Sequence, residues 1–408
     1  MQLPNELVDC VVENLYNDKA TLLNCSLVGR AWVRGSQRGI FHHIVLKPPD
    51  ADEAEYHLDV LYSLSDDYVK ANGRLVESFD VNPCLATYVR SLHLQAFCNL
   101  SQDLDWKAVY TSTVSVIQRL SNVDSLSFSQ FSWGTLSPLL KDALTEMFRP
   151  SVTRIMIDNF SIPKFTEYAS LLNHTTHLKV LIVESMFCDD WTLPEGSDAD
   201  SFDHTTPTPR SIQLHELETD NNAVLATWFQ EESCPIQIQN LQSLRINHLD
   251  LDHSRKVAFM LQSAGGNLRE LKMLVLQPIR ADYDSDLLHL GYSLNLNTLV
   301  LAITPRADSN CVLWIQSLFK PFLNRDQTYK CPLRVLTLIV YLDSIDDLRQ
   351  WDNWTAFDSL LVKPEFSLLE KVRIVITGKV GIPSGVKELL SEKLRFLERS
   401  GKLKCFTL

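Results

Sequence analysis

A chain of 408 residues with 45% apolar and 22% charged residues carries enough hydrophobic material for a substantial core without metals or disulfides. Its formal net charge of −12 and pI near 5.4 argue against a nucleic-acid backbone as the main ligand, because phosphate binding draws on a local excess of Lys and Arg. No basic patch stands out, and Lys371, Arg373 and Lys379 are dispersed among apolar residues.

The nine cysteines include no C-x-x-C pair, which argues against a zinc ribbon or redox motif and for a reduced compartment. The opening Met1-Gln2-Leu3-Pro4-Asn5-Glu6 has neither a basic nor an apolar leader region, and no run approaches the roughly 20 apolar residues that span a bilayer. The expectation is a cytoplasmic or nuclear protein, neither secreted nor membrane-bound. The N-x-S/T triplets at Asn99, Asn159, Asn173 and Asn353 then read as chance matches.

Residues 3–15 predict a helix. Pro4 suits its first turn and Glu6 its positive end, and Leu7, Val8, Val11, Val12 and Leu15 recur at helical spacing. Asp18 is a candidate N-cap for a second helix carrying Leu22, Leu23, Cys25, Leu27 and Val28, with Gly29 as its stop. Two short helices with apolar residues on more than one face need something further to cover them. That cover is a third helix, the rest of the chain (making them a helical cap) or a partner. Adjacent His42 and His43 would face opposite sides of a strand and so do not make a metal pair.

The order and spacing of Leu3-Pro4-x-Glu6-Leu7, Val12-x-x-Leu15 and Leu22-Leu23-x-Cys25-Ser26-Leu27-Val28-x-Arg30-x-Trp32 resemble the F-box, over about 40 residues. Ile40 to Leu46 is similar to the first strand that follows an F-box in fungal-type members. The resemblance implies an F-box module over 1–47 that docks on a Skp-family adaptor of a cullin–RING ubiquitin ligase. Its docking surface would include Leu3, Pro4, Glu6, Leu7, Leu22, Leu23, Leu27 and Val28, with Trp32 in the small core. Gly29 departs from the pattern, which often has Cys or Ser there.

The rest of the chain repeats. Apolar-x-x-apolar-x-apolar recurs ten times, with central residues Leu92, Leu126, Ile155, Leu181, Ile212, Leu244, Leu271, Leu299, Leu336 and Val372, 26 to 37 residues apart. The match at Pro209/Ile212/Leu214 is the weakest. Between matches lie helical-looking stretches: 106–120, 136–148, 164–172, 254–263, 311–323 and 345–362. The last two apolar positions of each match should point inward, and one unit cannot cover its own apolar side. The expected fold class is α/β: after the N-terminal helices, residues 48–408 form a leucine-rich-repeat-like solenoid, a horseshoe of parallel sheet with outer helices. A doubly wound α/β domain is the alternative.

The region resembles the irregular leucine-rich repeats that follow F-boxes. At the position usually held by a ladder Asn or Cys it has Phe131, Phe160, Leu217, Leu249 and Leu276. Residues 184–209 predict an acidic loop. A helix over 385–399, capped by Ser384 and stopped by Gly401, and a strand over 402–408 would cap the C-terminal end. The interleaved residues would face a ligand, and His215, Arg245, Asn247 and Lys272 are the candidate target-facing groups.

No nucleotide-binding, nucleophile-elbow or zinc-protease motif occurs, so neither an enzyme nor a cofactor is expected. The reading is a substrate-recognition adaptor of a ubiquitin ligase, which holds an unknown target protein through its repeats. The second reading is a leucine-rich-repeat interaction scaffold acting outside any ligase.

Overall fold

The computed structural model describes residues 4–49, 58–98, 106–194, 212–220, 223–247, 254–275, 288–304, 311–323, 330–342, 354–378 and 385–407. The chain divides into two compact units, Met1–Pro207 and Thr208–Leu408.

The first unit opens with helices α1 (Asn5–Glu13), α2 (Lys19–Val28) and α3 (Arg30–His42). The Pro4 carbonyl accepts from the N–H groups of Leu7 and Val8. Asp18 caps α2: Thr21 donates to it from its backbone N–H at 3.0 Å and its hydroxyl at 2.6 Å. Val8, Val12 and Leu22 form the core of the three helices, with Leu15, Tyr16, Trp32 and Ile40 packed on it. Helix α3 reaches them closely because it has no side chain at two points. A Cβ on Gly39 would lie 2.8 Å from Leu22 Cδ1 and from Tyr16 Cδ1, and one on Gly35 would lie 3.2 Å from Asp9 Oδ1. That packing corrects the expected strand start. Ile40 to His42 stay helical, because the extra turn brings Gly39 and Ile40 onto the α1–α2 core, and β1 is only His43–Leu46.

Helices α4 (Leu58–Val81) and α5 (Pro83–Thr87) follow. Strands β2 (Ser91–Phe97), β3 (Ser125–Ser132), β4 (Arg154–Lys164) and β5 (Val180–Asp190) continue a parallel sheet in chain order from β1. Helices α6 (Lys107–Ile117), α7 (Pro138–Met147) and α8 (Phe165–Asn173) lie between the strands in sequence. Helix α4 packs on α6, and α6 on α7. A bidentate ion pair ties the turn after α6 to α4, Arg119 donating to Asp80 at 2.8 and 2.9 Å. Strand β5 runs to Asp190, so Glu184 to Asp190 are sheet where a loop was expected. Residues 195–209 of that acidic segment lie outside the described residues.

Four strands of this sheet share a defect. Ala96, Gln130, Asn159 and Ser185 all have positive φ, between 49° and 62°, and each sits one residue before a register column Phe97–Phe131–Phe160–Met186. The left-handed residue shifts the alternation by one, so the next side chain turns inward. The rings of that column pack at 5.5 Å (Phe97–Phe131) and 5.7 Å (Phe131–Phe160). Phe131 and Phe160 are buried here, filling the turn by hydrophobic packing.

The second unit has strands β6 (Ile212–Gln213), β7 (Glu216–Asp220), β8 (Ile236–Gln237), β9 (Ser243–Asn247), β10 (Glu270–Val275), β11 (Thr298–Ile303), β12 (Val335–Leu342), β13 (Lys371–Gly378) and β14 (Leu403–Thr407). Strands β7 and β9 to β14 make a parallel sheet in chain order, while β6 and β8 pair separately. Its helices are α9 (Ala223–Trp228), α10 (Ser254–Ala264), α11 (Cys311–Leu323), α12 (Trp354–Leu361), α13 (Val386–Lys393) and α14 (Arg395–Arg399). The expected single C-terminal helix is thus two, broken at Leu394 (φ −113°, ψ 48°). Gly385 holds the N-cap position at φ 92°, and Ser384 lies outside the described residues. Asp358 on α12 explains the break: its buried carboxylate accepts from the N–H groups of Phe396 and Leu397, both at 2.9 Å, and so starts α14 anew.

Nine of the ten matched pairs lie inside strands and point inward, from Leu92/Leu94 to Val372/Ile374, with every side chain buried. The tenth is a correction. Ile212 and Leu214 are buried, but the ladder strand is β7, where Leu217 pairs with Leu244 and Thr219 with Ile246. Leu217 is therefore an inward strand residue and does not hold the ladder Asn position, and Leu249 and Leu276 lie outside the described residues.

One backbone device recurs at the strand entries. The carbonyls of Arg90, Asp124, Thr153, His215, Gln242, Arg269, Asn297 and Arg334 each accept from two successive N–H groups of the next unit. Strand order runs with the chain in both units, whereas a doubly wound sheet reverses at a switch point. Burial alternates along most strands, as for a sheet covered on one face. Each unit is α/β, with a parallel sheet and helices.

Candidate functional site

The N-terminal helices expose several large apolar side chains. Leu7 is 53% exposed, Leu23 55%, Leu27 83% and Val28 70%, and Pro4 and Glu6 are exposed beside them. Val11, four residues after Leu7 on α1, is exposed too and belongs with this set. Leu22 does not. It is 0% exposed, locked between α1 and α3. Adjacent residues sit about 100° apart around a helix, and here that offset turns Leu22 into the α1–α3 core while Leu23 faces out. Leu3 lies outside the described residues.

The open sheet face of the second unit gathers three of the four target-facing candidates. Strand register places Glu218, Arg245 and Lys272 side by side on β7, β9 and β10. Arg245 donates to both oxygens of Glu218, at 2.9 and 3.1 Å, and the Asn247 amide donates to Oε1 at 3.0 Å. Glu218 is buried, so it holds the two side chains in place from beneath. Sequence reading missed it because the weak match was set five residues early. Leu214-x-x-Leu217-x-Thr219 is the frame in the structure, and a Thr in the third position hid it. Lys272 is half-buried, and Arg373 further along the face is exposed.

His215 is elsewhere, in the strand-entry column. Its carbonyl accepts from Gln242 and Ser243, and its residue lines a polar cleft of about 670 Å³ with Arg269, Asn297 and Arg334. Amide side chains brace the turns there: Asn267 donates to the Gln239 carbonyl at 2.8 Å, and Asn295 donates to the Gly266 carbonyl.

On the first unit's open face, His43 Nδ1 lies 2.9 Å from Ser91 Oγ, and His93 Nε2 lies 2.8 Å from Ser129 Oγ. Burial holds both imidazole pKa values below the usual range, although Asp158 partly offsets this at His93. These are cross-strand polar pairs. No carboxylate hydrogen-bonds either ring among the described residues.

A basic patch unrecognised in the sequence lies on α3. Arg30, Arg34 and Arg38, at four-residue spacing, line one cleft together with Arg90. Read along the chain they are isolated charges, but on a helix they share a face. The chain matches no protein-family model and no curated protein.

Proposed function

We propose that the chain is an F-box-type substrate-recognition adaptor of a cullin–RING ubiquitin ligase. The observation that supports this most is the apolar surface left open on α1 and α2. Leu7, Val11, Leu23, Leu27 and Val28 are exposed on a module whose own core is already closed by Val8, Val12 and Leu22. Exposed aliphatic rows on short helices are the anchors of helix-face recognition. Leu7, Leu23, Leu27 and Val28 are among the residues through which the F-box resemblance implies docking on a Skp-family adaptor, whereas Leu22 of that set is buried.

The remaining strands and helices then form a leucine-rich-repeat-like solenoid. Chain-order parallel pairing, the strand-entry carbonyl column and the Asn braces between turns support that reading. The target binds the open face around Arg245, Asn247 and Lys272, with Glu218 fixing the first two. The protein performs no chemistry in this role; it raises the effective concentration of target near the ligase's ubiquitin carrier.

The test is to mix the full chain with a recombinant Skp-family adaptor and separate the mixture by size-exclusion chromatography. Co-elution as a stoichiometric complex supports the proposal. Separate elution at tens of micromolar, where about 7 kcal/mol of binding would still be seen, overturns it and leaves the scaffold reading.

A further inference from the structure

Helix α3 breaks several local electrostatic rules at once. It has no acidic residue in its first turn, and Arg30 stands there, at the end of the helix dipole that repels cations. Arg30 and Arg34, and then Arg34 and Arg38, are like-charged pairs at four-residue spacing, which destabilise a helix. Arg90, which leads into β2, adds a fourth guanidinium on the opposite wall. All four are exposed and share a cleft of about 510 Å³ with Thr87, Tyr88 and Asn122.

Internal compensation is slight. Among the described residues, Asp9 is the only carboxylate lining the cleft. Arg38 reaches Glu13 at 3.9 Å, a long and exposed pair, and Arg90 donates to the Asn122 carbonyl at 3.4 Å. Arg30 and Arg34 have no carboxylate within ion-pair distance among the described residues. The chain as a whole carries −12. Concentrating unpaired arginine on one wall of one cleft runs against that background, and local rules broken without compensation mark functional positions.

From this cleft we infer that the protein binds a compact oligophosphate. Guanidinium groups recognise phosphate oxygens bidentately, and four of them match several phosphate groups better than a single carboxylate. The volume is that of a small-molecule site. One side is α3 with Asp9 of α1 and the other the end of α5 and the entries of β2 and β3, so the bound anion braces the N-terminal helices against the sheet of the first unit. This inference is independent of adaptor docking, which uses α1 and α2.

The experiment is calorimetric titration of the full chain with inorganic tripolyphosphate at low ionic strength. Three proteins are compared: the parent, Arg34→Gln with Arg90→Gln, and Lys70→Gln with Lys387→Gln, which removes the same charge at exposed sites elsewhere. The expected result is saturable one-to-one binding to the parent and to the lysine variant. The arginine variant should bind at least about tenfold more weakly, with unchanged circular dichroism. Absence of saturable binding overturns the inference. So does equal loss in the two variants, which would show charge attraction without a site, and so does tighter binding of a diphosphorylated peptide than of tripolyphosphate.

Discussion

Leu22 and Leu23 are neighbours in sequence with opposite duties, and separating them tests the docking surface. Leu22 is fully buried between α1 and α3, so Leu22→Ala leaves a cavity in a three-helix module with few other core residues. Such changes cost about 2–5 kcal/mol. Leu23→Ala with Leu27→Ala removes side chains that nothing covers, and their stability effect should stay within about 0.5 kcal/mol each. In adaptor binding the order reverses. At about 2 kcal/mol for covering a whole leucine side chain, the exposed fractions of Leu23 (55%) and Leu27 (83%) contribute about 3 kcal/mol. That corresponds to an affinity loss on the order of 100-fold. Isothermal titration with a Skp-family adaptor measures the second effect, and thermal unfolding followed by far-ultraviolet circular dichroism measures the first. The reasoning fails if the Leu23/Leu27 double variant binds within threefold of the parent protein, or if it melts earlier than Leu22→Ala.

Asp358→Asn keeps one acceptor for two backbone donors at the start of α14 and removes the charge, so urea unfolding of the second unit should show a loss of about 1.5–3 kcal/mol; an unchanged midpoint would refute the capping role. Phe131→Ala empties the middle of the aromatic column and should cost about 3–5 kcal/mol, a fall in melting temperature of roughly 10 °C for a unit this size. His42, His43 and His93 all have pKa values lowered in the fold, chiefly by burial. Below about pH 6.5 the unfolded chain binds protons that these folded imidazoles do not. Stability is therefore full above that pH and declines as pH falls through it, until the folded groups protonate as well. His43→Gln with His93→Gln should flatten the decline between about pH 7 and 5, and an identical slope in the two proteins would count against it.

Inward strand positions were legible because a repeat that stacks on its neighbours must be apolar at two fixed places, and nine of the ten matches mark real ladder strands. The tenth slipped because Thr219 occupies an inward place that pattern reading reserves for larger aliphatics. Helix α4 escaped notice because Val60, Tyr62 and Leu64 are apolar yet exposed, which blurs any single stripe. The left-handed positions carry Ala, Gln, Asn and Ser, of which Asn159 alone belongs to the residue types that commonly adopt that conformation. Asp18 and Gly29 were readable as helix boundaries, since capping is a local interaction. The partnership of Glu218 with Arg245 and Asn247 was not, because it is made across strands 27 and 29 residues apart in sequence.

The kinked residues of β2 to β5 have a bearing on how this half of the protein can change. Each non-glycine residue held there stores strain of order 1–3 kcal/mol, repaid by the ring or thioether that the kink swings into the interior. Because the kink sits at the same height in adjacent strands, it behaves like a dislocation line through a crystal, which can move as a whole but cannot stop halfway. A duplication, deletion or graft that brought in one straight strand would point that strand's following side chain outward and leave its neighbours' rings against a void. These four strands can therefore be exchanged or inherited only together.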